Sequence, residues 1–206
     1  MEKTDFKKTL KELYAPPKNF VVVDVPSMQF LMADGHGDPN TAQAYQDALA
    51  ALYAVAYKIK FHSKKVFEKD YVVPPLEGLW WAQDMDSFSS QRDKSEWDWT
   101  MMIMTPDWIS AQVFAEAVAQ VRASKQPAAL DTVRLERYQE RLCVQIMHIG
   151  SYDDEAPLLE TLHKIYLPEN GYAPNGKHHE IYLSDPRRVA PEKLKTVLRQ
   201  PVKKIA

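Results

Sequence analysis

The sequence predicts an α+β fold built from duplicated βαββ units with pseudo-twofold symmetry, which share an antiparallel sheet with helices on one face and a ligand cleft on the other. Three observations carry this prediction. Apolar runs rich in β-branched and aromatic residues are separated by amphipathic stripes of helical period. The order strand, helix, strand, strand occurs twice. The first turns of the two halves, GHGDP at 35–39 and GSYDD at 150–154, can also be laid over one another.

Taken in order, residues 1–17 form an N-terminal extension. Phe6, Leu10 and Leu13 recur at helical spacing there, and Pro16-Pro17 stops the helix. The domain proper spans 18–204. Its first repeat, about 18–105, opens with a strand from Phe20 to Met32 in which Pro26 marks a bulge or an edge. Asp38-Pro39 then starts a helix running to about residue 60, with Tyr45, Ala48, Leu49, Leu52, Ala56 and Ile59 on one side. DYVVPPLEGLWW and WDWTMMIMT read as a hairpin across a polar turn, DMDSFSSQRDKSE. Thr105-Pro106-Asp107 opens a connector helix over about 106–126. The second repeat, about 136–204, runs through the strand RYQERLCVQIMHI, a helix striped by Leu158, Leu159, Leu162 and Ile165, the strand KHHEIYLSD and the final strand TVLRQPV.

Composition narrows the class. With 45% hydrophobic and 26% charged residues in 206, the chain can bury a sizeable core, and a net charge of -2 gives no pull toward nucleic acid or an anionic membrane. Cys143 is the single cysteine, which excludes an internal disulfide and Cys-rich zinc sites; within RLCVQIMHI it reads as a small buried hydrophobe. The first residues are charged throughout and no stretch approaches the ~20 apolar residues that span a bilayer, so the expectation is a cytoplasmic protein without a membrane segment. HExxH, GxSxG, Walker A and GxGxxG patterns are all missing. No cofactor and no metal is expected, although His178, Glu180 and His148 offer ligand types for one.

The candidate site residues lie on strands. Period-two geometry in KHHEIYLSDP puts His178, Glu180 and Tyr182 on one face and His179, Ile181 and Leu183 on the other. If Ile181 and Leu183 face the helices, Glu180 faces the open side. Either a solvated sheet face or a pocket floor would account for such an acid. Tryptophan decides for the pocket, because four of the five stand at 80, 81, 97 and 99, in two adjoining strands. Alternation places Trp97 and Trp99 together but sends Trp80 and Trp81 to opposite faces. An aromatic cluster around one acid suits a flat or cationic organic ligand, each ring giving roughly 0.5–2 kcal/mol to a desolvated cation.

The order of elements, PLEGLWW at 75–81 and above all HHEIYLSDPRRVAPEKLKTVLRQPV at 178–202 resemble the GyrI-like small-molecule-binding proteins, relatives of the effector domains of BmrR-type multidrug-sensing regulators. The resemblance covers most of residues 18–204. It implies a pseudo-twofold domain with an aromatic cleft between its halves and an acid on the penultimate strand, a position that Glu180 matches. It also implies affinity for hydrophobic, often cationic compounds. The tryptophan-rich strands are similar to a subgroup that hydrolyses cyclopropane-bearing DNA-alkylating compounds in an aromatic cage. On that pattern Glu180 and Tyr152 are the catalytic candidates, and Trp81, Trp97, Trp99, Tyr182 and His178 bind the ligand. No DNA-reading segment precedes the domain, so direct nucleic-acid binding is not expected, and a homodimer is compatible with the sequence. A protein-interaction module, such as a modulator of DNA gyrase, and a passive sequestering protein are the other readings.

Overall fold

The computed structural model describes residues 2–83 and 93–205. Most of the expected polar turn, including Asp84 and Asp86, lies outside the described residues. The strands are β1 Lys3–Thr4, β2 Val21–Val25, β3 Met28–His36, β4 Asp70–Tyr71, β5 Leu76–Trp81, β6 Asp98–Thr105, β7 Arg134–Tyr138, β8 Arg141–Ile149, β9 Tyr172–Pro174, β10 His178–Tyr182 and β11 Lys195–Lys204. The helices are α1 Phe6–Thr9, α2 Lys11–Tyr14, α3 Gln43–Val66, α4 Ala111–Ser124 and α5 Ala156–Thr161. From α5 the chain continues through a π turn, Leu162–Tyr166, into a last helical turn, Leu167–Glu169.

One large antiparallel sheet has the order β2-β8-β11-β10-β5-β6-β3-β7, with β9 added to β11. Strands β3, β5 and β6 meet strands β8, β10 and β11 where β5 pairs with β10. The expected strand from Phe20 to Met32 is two strands. Pro26 has no N–H to give to a ladder, so pairing lapses at Pro26 and Ser27. Register nevertheless continues across the gap, with Val25 opposite Arg141 and Met28 opposite Tyr138. Since β2 thus runs into β3 and β7 into β8, the two ends of the strand path are joined and the sheet curls back on itself.

Helix α3 starts at Gln43, later than Asp38-Pro39 suggests, because Asp38 instead closes a turn, accepting the Thr41 and Ala42 N–H groups at its carbonyl and Asn40 N–H at its side chain. The apolar stripe of α3, with Ala48, Leu52, Val55 and Ile59, is buried against Leu31, Ala33, Trp99, Met101 and Ile103 of the sheet. Each such aliphatic side chain contributes about 1.5–3 kcal/mol on full burial. Helix α4 is capped by Ser110, whose hydroxyl accepts Val113 N–H at 3.3 Å, and it adds Val113, Ala117 and Val121 to the same cluster. Pro106-Asp107 lies in the turn before it rather than at its first position.

The second face is closed as well. Phe30, Met32, Leu79, Met102, Ile181 and Val197 form a separate core, completed by Leu13 and Tyr14 of the N-terminal segment. That segment is two short turns broken at Leu10, tied to the body by parallel pairing of β1 with β4. Ile181 and Leu183 therefore face the N-terminal segment, and Glu180 and Tyr182 face the helices, the reverse of the expected sidedness. The reason is that the apolar cover for Ile181 comes from residues 6–14, whose short helical stripe carries no sign of which face it will seal.

Within this second core lies a buried ionic network. His179 Nδ1 stands 3.0 Å from Glu140 Oε2 and Nε2 stands 3.0 Å from Glu77 Oε2. Arg199 donates to Glu140 Oε2 at 3.1 Å, to Gln145 Oε1 at 3.1 Å and to the Leu13 carbonyl at 2.7 Å, while Tyr14 donates to Glu77 Oε1 at 2.8 Å. Two carboxylates are thus balanced by a guanidinium and an imidazolium, which is what makes their burial tolerable. Burial works against charge on His179, but the charge and hydrogen bond of Glu140 and the Glu77 carboxylate beside Nε2 raise its pKa. Burial would likewise raise Glu140, yet His179 and Arg199 outweigh it and bring that carboxyl down to about 2.

Candidate functional site

Strand β10 pairs with β5 so that His178 faces Trp80, Glu180 faces Gly78 and Tyr182 faces Leu76; on the far side of β5, Trp80 faces Trp99. Directly opposed residues of antiparallel strands project to the same face. Trp80, Trp99, His178, Glu180 and Tyr182 therefore share the helix side of the sheet, and Trp97 joins them, its ring 5.7 Å from that of Trp80. Alternation sends Trp81 to the other face, where it packs with the N-terminal core and carries the Lys177 ammonium 3.2 Å from its ring centre. Trp80, not Trp81, is the indole beside Glu180.

Two glycines let the indoles lie flat. A Cβ on Gly35 would overlap the six-membered ring of Trp99, and one on Gly78 would stand 2.7 Å from Trp80 Nε1. With the Trp80 ring over Gly78, its N–H reaches Tyr182 Oη at 2.9 Å. Tyr182 in turn donates to Glu180 Oε2 at 2.7 Å, and His178 Nε2 stands 3.5 Å from Glu180 Oε1. Both carboxylate oxygens are thus addressed from the sheet itself.

The helices close the cluster from above. Tyr45, in the first turns of α3, meets Trp99 edge-on at 5.3 Å and Trp80 at 6.3 Å. Tyr152 belongs to a short 3-10 turn, Tyr152–Glu155, opened by a capping box of Ser151 and Asp154, and its ring meets Tyr182 edge-on at 5.6 Å. Glu155 of the same turn is buried. Tyr45, Tyr152, Glu180 and Tyr182 are half-buried, whereas the three tryptophans are buried beneath them.

The electrostatics follow from burial near an acid. Burial, then the Glu180 charge, raises Tyr45. Burial, then the charges of Glu155 and Glu180, pushes Tyr152 up to about 12. Tyr182 is raised well above the ordinary phenol value by burial, the Glu180 charge, Tyr45 and its hydrogen bond to Glu180. The three phenols therefore stay protonated and act as hydrogen-bond donors near neutral pH. His163, on the π turn, is lowered to about 4 by burial and by His178.

Of the residues expected from sequence, Glu180, Tyr182, His178, Trp97, Trp99 and Tyr152 come together; Trp81 does not. Tyr45, Trp80, Glu155 and His163 were not among them. From the sequence Tyr45 reads as part of a helix stripe, and only the β5–β10 register distinguishes Trp80 from Trp81. His148 is held apart, its Nε2 3.0 Å from the Ser151 carbonyl. Among the described residues no group of three or more His, Cys, Asp or Glu could hold a metal, and no helix is long and apolar enough to cross a membrane. Away from this cluster, a groove of about 470 Å³ runs between α2 and β2.

Comparison with known proteins agrees with this architecture. The chain is similar to a conserved protein of Listeria innocua at 40% identity, over 98% of this chain and all of that one, with a TM-score of 0.89. It is similar in the same way to a hydrolase from Listeria innocua, at 39% identity, 98% and 100% coverage and a TM-score of 0.85. The C-terminal domain of EcmrR shares the fold at 10% identity, over 91% of this chain and 98% of that domain, with a TM-score of 0.56. No curated protein matches the sequence. Residues 18–203 match the family model described as the GyrI-like small molecule binding domain, and the chain belongs to that family.

Proposed function

We propose that the protein binds hydrophobic, cationic small molecules at the cluster of Tyr45, Trp80, Trp99, Tyr152, Glu180 and Tyr182, and that it adds water to strained electrophiles, cyclopropane-bearing genotoxins among them. The observation that carries this reading is the array Trp80–Tyr182–Glu180, in which a half-buried carboxylate is oriented by a phenol and ringed by aromatic faces. Such rings favour cationic character by roughly 0.5–2 kcal/mol each, and a carboxylate neutralises it. The similarity to a hydrolase from Listeria innocua points the same way.

In the proposed reaction a water oxygen bonds to the methylene of the strained ring. The ring C–C bond breaks, its electron pair passes to the conjugated remainder of the substrate, and that remainder takes up a proton. Trp80, Trp99 and Tyr152 stabilise the positive character at the attacked carbon, Glu180 orients the water and accepts its proton, and Tyr182 fixes the carboxylate. The experiment is to incubate the protein with a cyclopropane-bearing electrophile and follow the gain of one water by mass spectrometry. A substrate that stays unchanged while raising the melting temperature leaves binding and removes hydrolysis; no change in either removes the site.

A further inference from the structure

Two histidines stand side by side on β10 and are treated differently by the fold. His179 is fully buried, with Nδ1 hydrogen-bonded to Glu140 at 3.0 Å and Nε2 held in an ion pair 3.0 Å from Glu77 Oε2, outside hydrogen-bond geometry. His178 is also buried, at 5% exposure, yet neither of its ring nitrogens has a hydrogen-bond partner among the described residues. Leaving a buried polar group unbonded costs about 1–3 kcal/mol, so a ring held this way weakens the fold. A side chain that must exchange partners during a reaction has to accept that cost.

The geometry around Glu180 indicates the partner. Oε2 is taken by the Tyr182 hydroxyl, whose own oxygen is taken by Trp80 N–H. Tyr182 is held protonated and cannot drain a proton from the carboxylate. Oε1 is the oxygen that remains, and it faces His178 Nε2 at 3.5 Å, a few tenths of an ångström beyond a hydrogen bond. Catalytic hydrogen bonds are often this long before substrate is bound. Among the described residues, Glu180 on its own strand and His163 on the π turn interact with His178. π turns recur at functional sites, and the half-buried His163 stands on this one, its pKa lowered by burial and by His178.

We propose that His178 is the positioning and proton-relay residue of the site, holding Glu180 Oε1 and taking up the proton that Glu180 draws from water. This rests on the hydrolytic reading above. Proton balance is simple: one leaves the attacking water for Glu180 and then His178, and one is taken up by the ring-opened substrate, so no proton is gained or lost overall.

The test uses His178→Gln, which can still bond to Glu180 but cannot carry a proton, and His178→Ala. With a cyclopropane-bearing electrophile as probe, His178→Gln should lower kcat by about 100-fold with little change in KM, the usual scale of a lost acid–base partner. Added imidazole should restore part of the rate in His178→Ala. A wild-type rate in His178→Gln across the pH range overturns the relay. Side-chain 15N spectra read the same pairing without substrate: the His178 Nε2 signal should move in Glu180→Gln, and the His163 titration should rise from about 4 in His178→Gln. Unmoved signals overturn the inference even if the probe is hydrolysed. Moved signals with an unhydrolysed probe count against the hydrolase reading and support the pairing.

Discussion

The Tyr182 hydroxyl gives its hydrogen to Glu180 Oε2 at 2.7 Å while its oxygen accepts the Trp80 indole N–H at 2.9 Å. The phenol thereby points its one proton at the carboxylate and cannot turn it elsewhere. Replacing it tests the whole array. Tyr182→Phe leaves the Trp80 N–H without its acceptor, and a loss of about 1–3 kcal/mol is expected in chemical denaturation, together with slower turnover. Unchanged stability and rate would mean that the array plays no part in either.

Glu180→Gln keeps shape and removes charge. Turnover of the electrophile should vanish while the melting temperature stays near that of the parent, because Tyr182 can still donate to the amide oxygen. Full activity in this variant would show that another acid handles the water.

The two neighbouring tryptophans separate the faces of the sheet. Trp80→Ala should weaken binding of a hydrophobic cation by roughly 5- to 30-fold, as expected when a ring worth about 1–2 kcal/mol is removed, whereas Trp81→Ala should alter stability and leave affinity nearly unchanged. Calorimetric titration of both variants decides between them.

Backbone approach is the basis of a fourth expectation. Since a Cβ on Gly35 would overlap the Trp99 ring, Gly35→Ala should cost about 1–3 kcal/mol through overpacking and should also shift the near-ultraviolet circular dichroism of the tryptophans. A variant as stable as the parent would mean that Trp99 is free to move aside.

The Glu77–His179–Glu140–Arg199 network sets a pH window. Glu140 has its pKa lowered to about 2, so its contribution is complete above the ordinary carboxyl value and is lost as pH falls through about 2. His179 has its pKa raised, so its contribution is complete below the ordinary imidazole value and is lost as pH rises through its folded value. Stability measured by denaturant should therefore decline on both the acid and the alkaline side. His179→Gln should flatten the alkaline limb; an unaltered limb would assign it to other groups.

Much of the fold is written locally. The helical stripes of α3 and α4, the hairpin of β5 and β6 and the order of elements follow from periodicity and turn residues, which depend only on near neighbours in the chain. The alternation in β10 likewise fixed that Glu180 and Tyr182 share a face, and that Trp97 and Trp99 do. Which face that would be did not follow, because two apolar covers compete for the sheet and only packing decides that α3 takes one while Leu13 and Tyr14 take the other. The choice of Trp80 over Trp81 depended on a strand register between residues about a hundred positions apart, and Tyr45 entered the site only once α3 had docked. The sequence by itself determined the chemistry available, an acid among aromatic rings; the tertiary structure decided which rings meet the acid and from which side, since register and packing are properties of contacts that no single segment contains.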